Sequence, residues 1–314
     1  ESGGKLLDIA SKTAEFPLAF YKRLHSLGVS EEQIKQCIYA IPTSKMTYEF
    51  TLKFFRILGL REDHISCFTS YDLLKVRDNK GLIDYKKIAA ILTQNKPFDQ
   101  IKLTDMPQEG AETVKFEAVI GNPPYQKNII NTSDSSIYDK FLDIGYLLSP
   151  IGCFITPAKF LFNVGKTPEK WNERMLNDEH LQLIKLEMDS TKIFPDAKFE
   201  GGIAITYRDE TRFFEKIQIC TSYPELTSLS KRIVNHPDFL PLSDVIFLQS
   251  KFNLKKLYDE KPSLKKIVGS HGKERRLTTS IFDTIPSIFH NEKEFSDDIK
   301  ILGLGENGRI YKYI

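Results

Sequence analysis

Up to about residue 212, short apolar runs of strand length alternate with runs whose apolar residues recur at helical spacing. That alternation limits the chain to an α/β fold with a largely parallel sheet. Lys5–Ala10, Gln36–Ile41, Ile65–Phe68, Phe116–Ile120 and Gly152–Thr156 read as successive strands, with two more over Leu181–Leu186 and Gly202–Tyr207. Helices are expected over Pro17–Leu27, Thr47–Leu58, Tyr85–Leu92 and Ser136–Leu148. Leu18, Tyr21, Leu24 and Leu27 share one face of the first of these, and Pro17 suits its first turn. Thr43 or Ser44 can cap the second, which Gly59 stops. Ligands of such sheets bind beyond the carboxyl ends of the strands, so function should gather just after Ala10, Ile41, Phe68 and Ile120.

After residue 212 the alternation fades, and a domain boundary is expected near 208–215, dividing the chain into 1–212 and 213–314. The net charge is only +2, but it is unevenly spread. Residues 211–314 carry 17 basic and 13 acidic side chains, and Lys251–Arg276 alone carries nine basic against three acidic. A basic patch attracts phosphate backbones, which admits a nucleic acid as partner; a solvated helix face with ordinary lysines is an equal reading of charge alone. Cys37, Cys67, Cys153 and Cys220 are far apart, with no C-x-x-C pair, and the six histidines are scattered. No zinc site, disulfide framework or other metal site is expected. No segment approaches the ~20 apolar residues that cross a bilayer, and the first residues lack the pattern of a signal peptide. A reduced, cytoplasmic protein without membrane contact is the expectation.

The chemistry is carried by Val119–Gln126, VIGNPPYQ, which a strand delivers to the carboxyl edge of the sheet. An exocyclic amine such as adenine N6 is a poor nucleophile, because its lone pair is delocalised into the ring. Two acceptors aimed at its N–H groups favour a tetrahedral nitrogen with the lone pair free. The Asn122 side-chain carbonyl and the Pro123 backbone carbonyl are such acceptors. Pro123 and Pro124 fix the loop's path, so the acceptors are in place before substrate arrives. Tyr125 offers a flat face to an extruded base. The competing reading is a rigid Pro-rich turn after a strand.

With this motif the sequence resembles the NPPY amino-methyltransferases, especially the adenine-N6 DNA methyltransferases of Eco57I-like restriction–modification systems. The resemblance covers nearly the whole chain, in the family order: cofactor loop, NPPY, recognition region. It implies a Rossmann-like sheet that binds S-adenosyl-L-methionine, followed by a C-terminal target-recognition region, and it implies double-stranded DNA as partner. A nuclease or helicase part of the same system is a further partner that it admits. The loop after the first strand, Asp8-Ile9-Ala10-Ser11-Lys12-Thr13-Ala14-Glu15-Phe16, stands where the family pattern is closer to D-P-A-C-G-x-G-x-F. Asp8, Ala10 and Phe16 match, and Ser11, Thr13 and Glu15 fall in the same cofactor loop. Lys12 and Ala14 replace the two glycines that let a backbone approach a ligand closely. After the second strand, Pro42 and Thr43 occupy the cofactor position where the family often has an acid. Asp72 with Leu73 fits the position near the cofactor adenine; a helix N-cap is an equal reading of Asp72. Phe194, in Lys192-Ile-Phe-Pro195 before Gly201-Gly202, resembles the second ring that packs on the flipped base. Lys265, Lys266, Lys273, Arg275 and Arg276 are candidates for DNA phosphate contact. The family also carries a cofactor-contacting segment before its first strand, and that segment is expected upstream in a longer protein.

Two other patterns carry less. Gly303–Gly308 matches G-x-G-x-x-G, but a strand-like run follows it where a dinucleotide site needs a helix, and Asn307-Gly308 signals a hairpin instead. Pro237-Asp238 with Asp259–Lys261 faintly resembles a nuclease core and falls in the expected recognition region. Two competing readings of function stay open: an NPPY methyltransferase acting on RNA or on protein glutamine, and a degenerate methylase that serves only as a DNA-binding specificity module.

Overall fold

The computed structural model describes all residues except 1–3, 106–114, 128–134, 218, 243–245, 247–252, 269–279 and 306–307. Six strands form the principal sheet: β1 (Leu6–Ser11), β2 (Ile38–Pro42), β3 (Ala118–Gly121), β4 (Ile151–Pro157), β5 (Leu181–Glu187) and β6 (Ile203–Asp209). Their order is β2-β1-β3-β4-β6-β5. The first four in that order are parallel neighbours, and β6 is antiparallel to both β4 and β5. The fold is therefore α/β with a mostly parallel sheet. All of β2, and β1 from Leu7 to Ser11, are buried without alternation. Continuous burial marks strands covered on both faces. The chain steps outward from β1 to β2 and then returns to β3 on the other side of β1, so the order reverses between β1 and β3. Such a reversal opens a crevice at the carboxyl ends of those two strands.

The helices of the first unit are α1 (Glu15–Ser26), α2 (Glu31–Cys37), α3 (Lys45–Leu58), α4 (Ser70–Leu73), α5 (Tyr85–Leu92), α6 (Tyr138–Leu148) and α7 (Glu169–Leu176). Ser44 caps α3 by accepting the Thr47 N–H at 3.2 Å, and Gly59, with φ 66°, ends it in the left-handed region that suits glycine. Three of these helices, α2, the short α4 and α7, have no counterpart in the sequence reading. α2 occupies the start of the expected second strand, held by a reciprocal box between Ser30 and Gln33. α7 packs Trp171 and Met175 into the main core. The expected strand at Ile65–Phe68 shrinks to one bridge between Ile65 and Ala40. There the Ser66 hydroxyl donates to the Phe68 carbonyl at 2.7 Å, closing a turn that draws the chain away from the sheet edge.

The chain divides into two compact units, Glu1–Lys231 and Arg232–Ile314. The first runs past the composition change at 212 because Ile217 is buried in the main core, Cys220 packs against that core, and the Phe214 N–H donates to the Glu179 carbonyl at 2.6 Å. The second unit gathers Leu254, Tyr258, Leu264, Ile281, Phe282, Ile285, Ile288 and Phe289 into its own core. It ends in an antiparallel hairpin of β7 (Lys300–Gly305) and β8 (Gly308–Tyr313), with Gly308 at φ 118°. A strand, not a helix, follows the glycine-rich run. Among the described residues no group of three or more His, Cys, Asp or Glu is placed to hold a metal, and no helix is long and apolar enough to cross a membrane.

Candidate functional site

β3 ends at Gly121, and the next four residues form the loop Asn122–Tyr125. Gly121 is packed so closely that a Cβ there would stand 2.9 Å from Ile9 Cγ2 on β1. A larger residue would push the loop away from the sheet at the point where Asn122 emerges. At the loop's far end the Tyr125 carbonyl accepts the Ile137 N–H at 3.2 Å, just before α6 begins. The loop is thus tied at both ends, and its two prolines remove most of the freedom between them.

The loop forms one wall of a cavity of about 530 Å3, lined by Lys12, Thr43, Ser44, Tyr71, Asn122, Pro123, Pro124, Tyr125, Gln126, Phe194, Ala197 and Phe199. Three strand ends contribute: Lys12 follows β1, Thr43 and Ser44 follow β2, and Asn122 follows β3. A backbone bond ties the first two ends together, from the Thr43 N–H to the Ser11 carbonyl at 3.0 Å. Asn122 Oδ1 is buried and has no hydrogen-bond partner among the described residues. A buried carbonyl oxygen left unpaired costs roughly 1–3 kcal/mol, so it is poised for a donor that a ligand brings. The Tyr125 hydroxyl is likewise buried and unpaired, and burial pushes its pKa upward.

Another part of the lining comes from a loop folded around Ser190. The Ser190 carbonyl accepts the Phe194 N–H at 2.8 Å, and its hydroxyl accepts the Phe199 N–H at 2.7 Å. Ser190 is itself buried. The loop therefore presents two rings to the cavity, Phe194 and Phe199, with centroids 5.9 Å apart.

The residues singled out from sequence divide clearly by position. All four of Asn122–Tyr125, Thr43 and Phe194 line the cavity. Asp8, Ala10, Ser11 and Pro42 are buried at the strand ends behind it. Thr13 and Glu15 are exposed, with the Thr13 N–H donating to Glu15 Oε2 at 3.2 Å, and Phe16 is half-buried. Leu73 lies in the core. Asp72 caps α4: Oδ2 accepts from the Thr69 N–H at 2.9 Å and the Thr69 hydroxyl at 2.7 Å, and Oδ1 pairs with Lys75 at 2.6 Å. Neither Asp72 nor Leu73 lines the cavity; their neighbour Tyr71 does. Lys265 and Lys266 are exposed on the short helix Leu264–Val268 of the second unit, while Lys273, Arg275 and Arg276 lie outside the described residues. Lys12, Ser44, Tyr71, Gln126, Ala197 and Phe199 are cavity residues that sequence reasoning did not assign to the site. Ser44 carried a signal as a cap and Lys12 as a departure from the glycine pattern; isolated aromatics in loops carry none.

Two features of the first loop bear on a ligand. Ala14 adopts φ 59° and ψ 29°, a left-handed conformation held without a glycine. Asp8 is wholly buried, and desolvation raises its carboxyl pKa to about 7 against the pull of a hydrogen bond from the Ala10 N–H at 3.1 Å. Burial also lowers the Lys12 pKa, with Glu15 and Asp8 as the nearby charges that oppose the shift.

Comparison with known proteins yields low-identity structural matches. The type I restriction-modification system methyltransferase subunit from Streptococcus thermophilus is 14% identical, with 68% of this chain and 41% of that one covered and a TM-score of 0.40. The ATP-dependent Type ISP restriction-modification enzyme LlaBIII, solved bound to DNA, is 12% identical, with 100% of this chain and 27% of that one covered and a TM-score of 0.44. SMU.776, solved in complex with SAH, is 11% identical, with 65% and 45% covered and a TM-score of 0.31. The chain thus spans less than half of the length of each of these three structures. No curated protein matches it in sequence. A family model, the Eco57I restriction-modification methylase, matches residues 36–194, just over half of the chain and a span that includes β2, β3, the Asn122–Tyr125 loop and Phe194. The chain belongs to the Eco57I restriction-modification methylase family.

Proposed function

We propose that this chain is the catalytic part of a DNA methyltransferase that methylates adenine N6 in duplex DNA, with the target base turned out of the helix. The observation that carries the reading is the unpaired, buried Asn122 Oδ1 in a cavity that also holds Pro123, Tyr125 and Phe194. S-adenosyl-L-methionine is the cofactor, and when bound it supplies an electrophilic methyl group on sulfur. The residues fit it: the volume is that of an ordinary small-molecule site, the cavity spans the β2, β1 and β3 ends, and Ala14 keeps the turn that a glycine would make.

Asn122 Oδ1 and the Pro123 carbonyl accept the two N–H groups of the amine. Both oxygens are fixed before substrate arrives, so little reorganisation accompanies the reaction. The accepted hydrogen bonds would localise the nitrogen lone pair and leave it free toward the methyl group that bound S-adenosyl-L-methionine would supply. Tyr125 and Phe194 supply the aromatic faces for the extruded base, where each stacking contact is worth roughly 1–3 kcal/mol. The second unit, residues 232–314, is the DNA-reading region in this account, with Lys265 and Lys266 as exposed phosphate contacts and Lys273, Arg275 and Arg276 as further candidates. A nuclease or helicase part of the same restriction–modification system is a natural partner.

The test is to express the gene in a host without adenine methylases and map N6-methyladenine across its genome. Modification at one short motif supports the reading. Modified ribosomal RNA or protein glutamine with unmodified DNA overturns the substrate assignment.

A further inference from the structure

We propose that Lys12 reads the carboxylate of the cofactor's methionyl end. The proposal rests on the reading of the cavity as the cofactor site.

Lys12 is the one residue of the Asp8–Phe16 loop that lines the cavity. It sits at the end of β1, between the β2 end, with Thr43 and Ser44, and the β3 end, with Asn122. A cofactor laid across this edge brings its reactive sulfur toward Asn122. The cofactor's methionyl part bears its one carboxylate.

Charge decides which group Lys12 meets. The sulfonium and the amino group of that part are both cationic and repel an ammonium. The carboxylate alone among them attracts it. Lys12 is also free to do so: it makes no ion pair among the described residues. Glu15, its acidic neighbour in sequence, is engaged with Thr13 through the backbone N–H and the hydroxyl. A charge-assisted bond of this kind is among the stronger contacts that a polar ligand makes.

Calorimetric titration of the full-length protein with S-adenosylhomocysteine and with methylthioadenosine, which lacks the amino-acid end, tests this. Native protein, Lys12→Met and Lys12→Arg are compared. The expected result is that Lys12→Met weakens S-adenosylhomocysteine roughly tenfold to hundredfold while methylthioadenosine changes less than about twofold. Lys12→Arg should keep most of the affinity. Unchanged S-adenosylhomocysteine binding in Lys12→Met overturns the proposal, as does a parallel loss of both ligands in both variants. If the native chain binds neither ligand, the cofactor reading itself falls. That outcome is distinct from a failure of Lys12, which requires intact native binding.

Discussion

The rings of Tyr125 and Phe199 meet edge to face, with centroids 5.0 Å apart and planes at 70°. The Tyr125 hydroxyl is buried without a partner among the described residues. Its ring does the packing and its oxygen contributes nothing to stability. Tyr125→Phe should therefore leave stability unchanged or raise it by about 1 kcal/mol, with methylation within about threefold of native. Tyr125→Ala should lose methylation by tenfold or more, the loss of one stacking face. Urea denaturation and a methyl-transfer assay on the same samples check both; a Tyr125→Phe variant as impaired as Tyr125→Ala would show that the hydroxyl has a role.

Ala14 holds a left-handed turn that costs an L-residue roughly 1–2 kcal/mol. Ala14→Gly relieves that cost while losing a buried methyl and gaining unfolded-state freedom, so stability should be unchanged or slightly higher. The control is Ala19→Gly on the exposed face of α1, which should lose about 0.5–1 kcal/mol. Equal losses at both sites would contradict the account of the loop.

The Asp8 carboxyl has its pKa raised to about 7 by burial. A carboxyl whose folded pKa lies above its unfolded value favours folding when protonated, and that contribution is lost as pH rises from near 4 through about 7. Buried His64, lowered to about 4 by desolvation, acts in the opposite sense: its contribution is present above the unfolded value near 6.5 and is lost as pH falls toward 4. The two partly cancel in the native chain. Asp8→Asn keeps His64 and can still accept the Ala10 N–H, so the difference between variant and native isolates Asp8. Without cofactor, the variant should gain about 2–3 kcal/mol relative to native between about pH 5 and about pH 8. Denaturant melts at the two pH values measure it; a difference independent of pH would contradict the assignment.

Much of this architecture was legible in the sequence because two of its signals are local. Continuous apolar runs such as Ile38–Ile41 mark covered strands, and the NPPY loop follows a strand by simple adjacency. The Ser30–Gln33 box was a local signal too, but α2 buries only Ile34 and Cys37 and so gives little helical periodicity. What was not legible depends on meetings across the chain. Phe199 reaches Tyr125 only because Ser190 folds the intervening loop, and Tyr71 enters the cavity while its neighbour Asp72 turns back to cap α4. The strand expected at Ile65–Phe68 is reduced to one bridge, with the Ser66 N–H donating to the Ala40 carbonyl at 3.1 Å, and the chain then turns, with the Ser66 hydroxyl on the Phe68 carbonyl. Lys12, read from sequence as a departure from the glycine pattern, stands in the cavity that the pattern's glycines would border.

The central claim is that Asn122 activates the amine that is methylated. Its most direct test compares native protein with Asn122→Ala in one host lacking adenine methylases, scoring N6-methyladenine across the genome and S-adenosylhomocysteine affinity of the purified chains. The account predicts that Asn122→Ala loses methylation by roughly a hundredfold or more, the scale for removing one preorganised hydrogen-bonding group, while S-adenosylhomocysteine binds as before. Native-level adenine methylation by Asn122→Ala would contradict it.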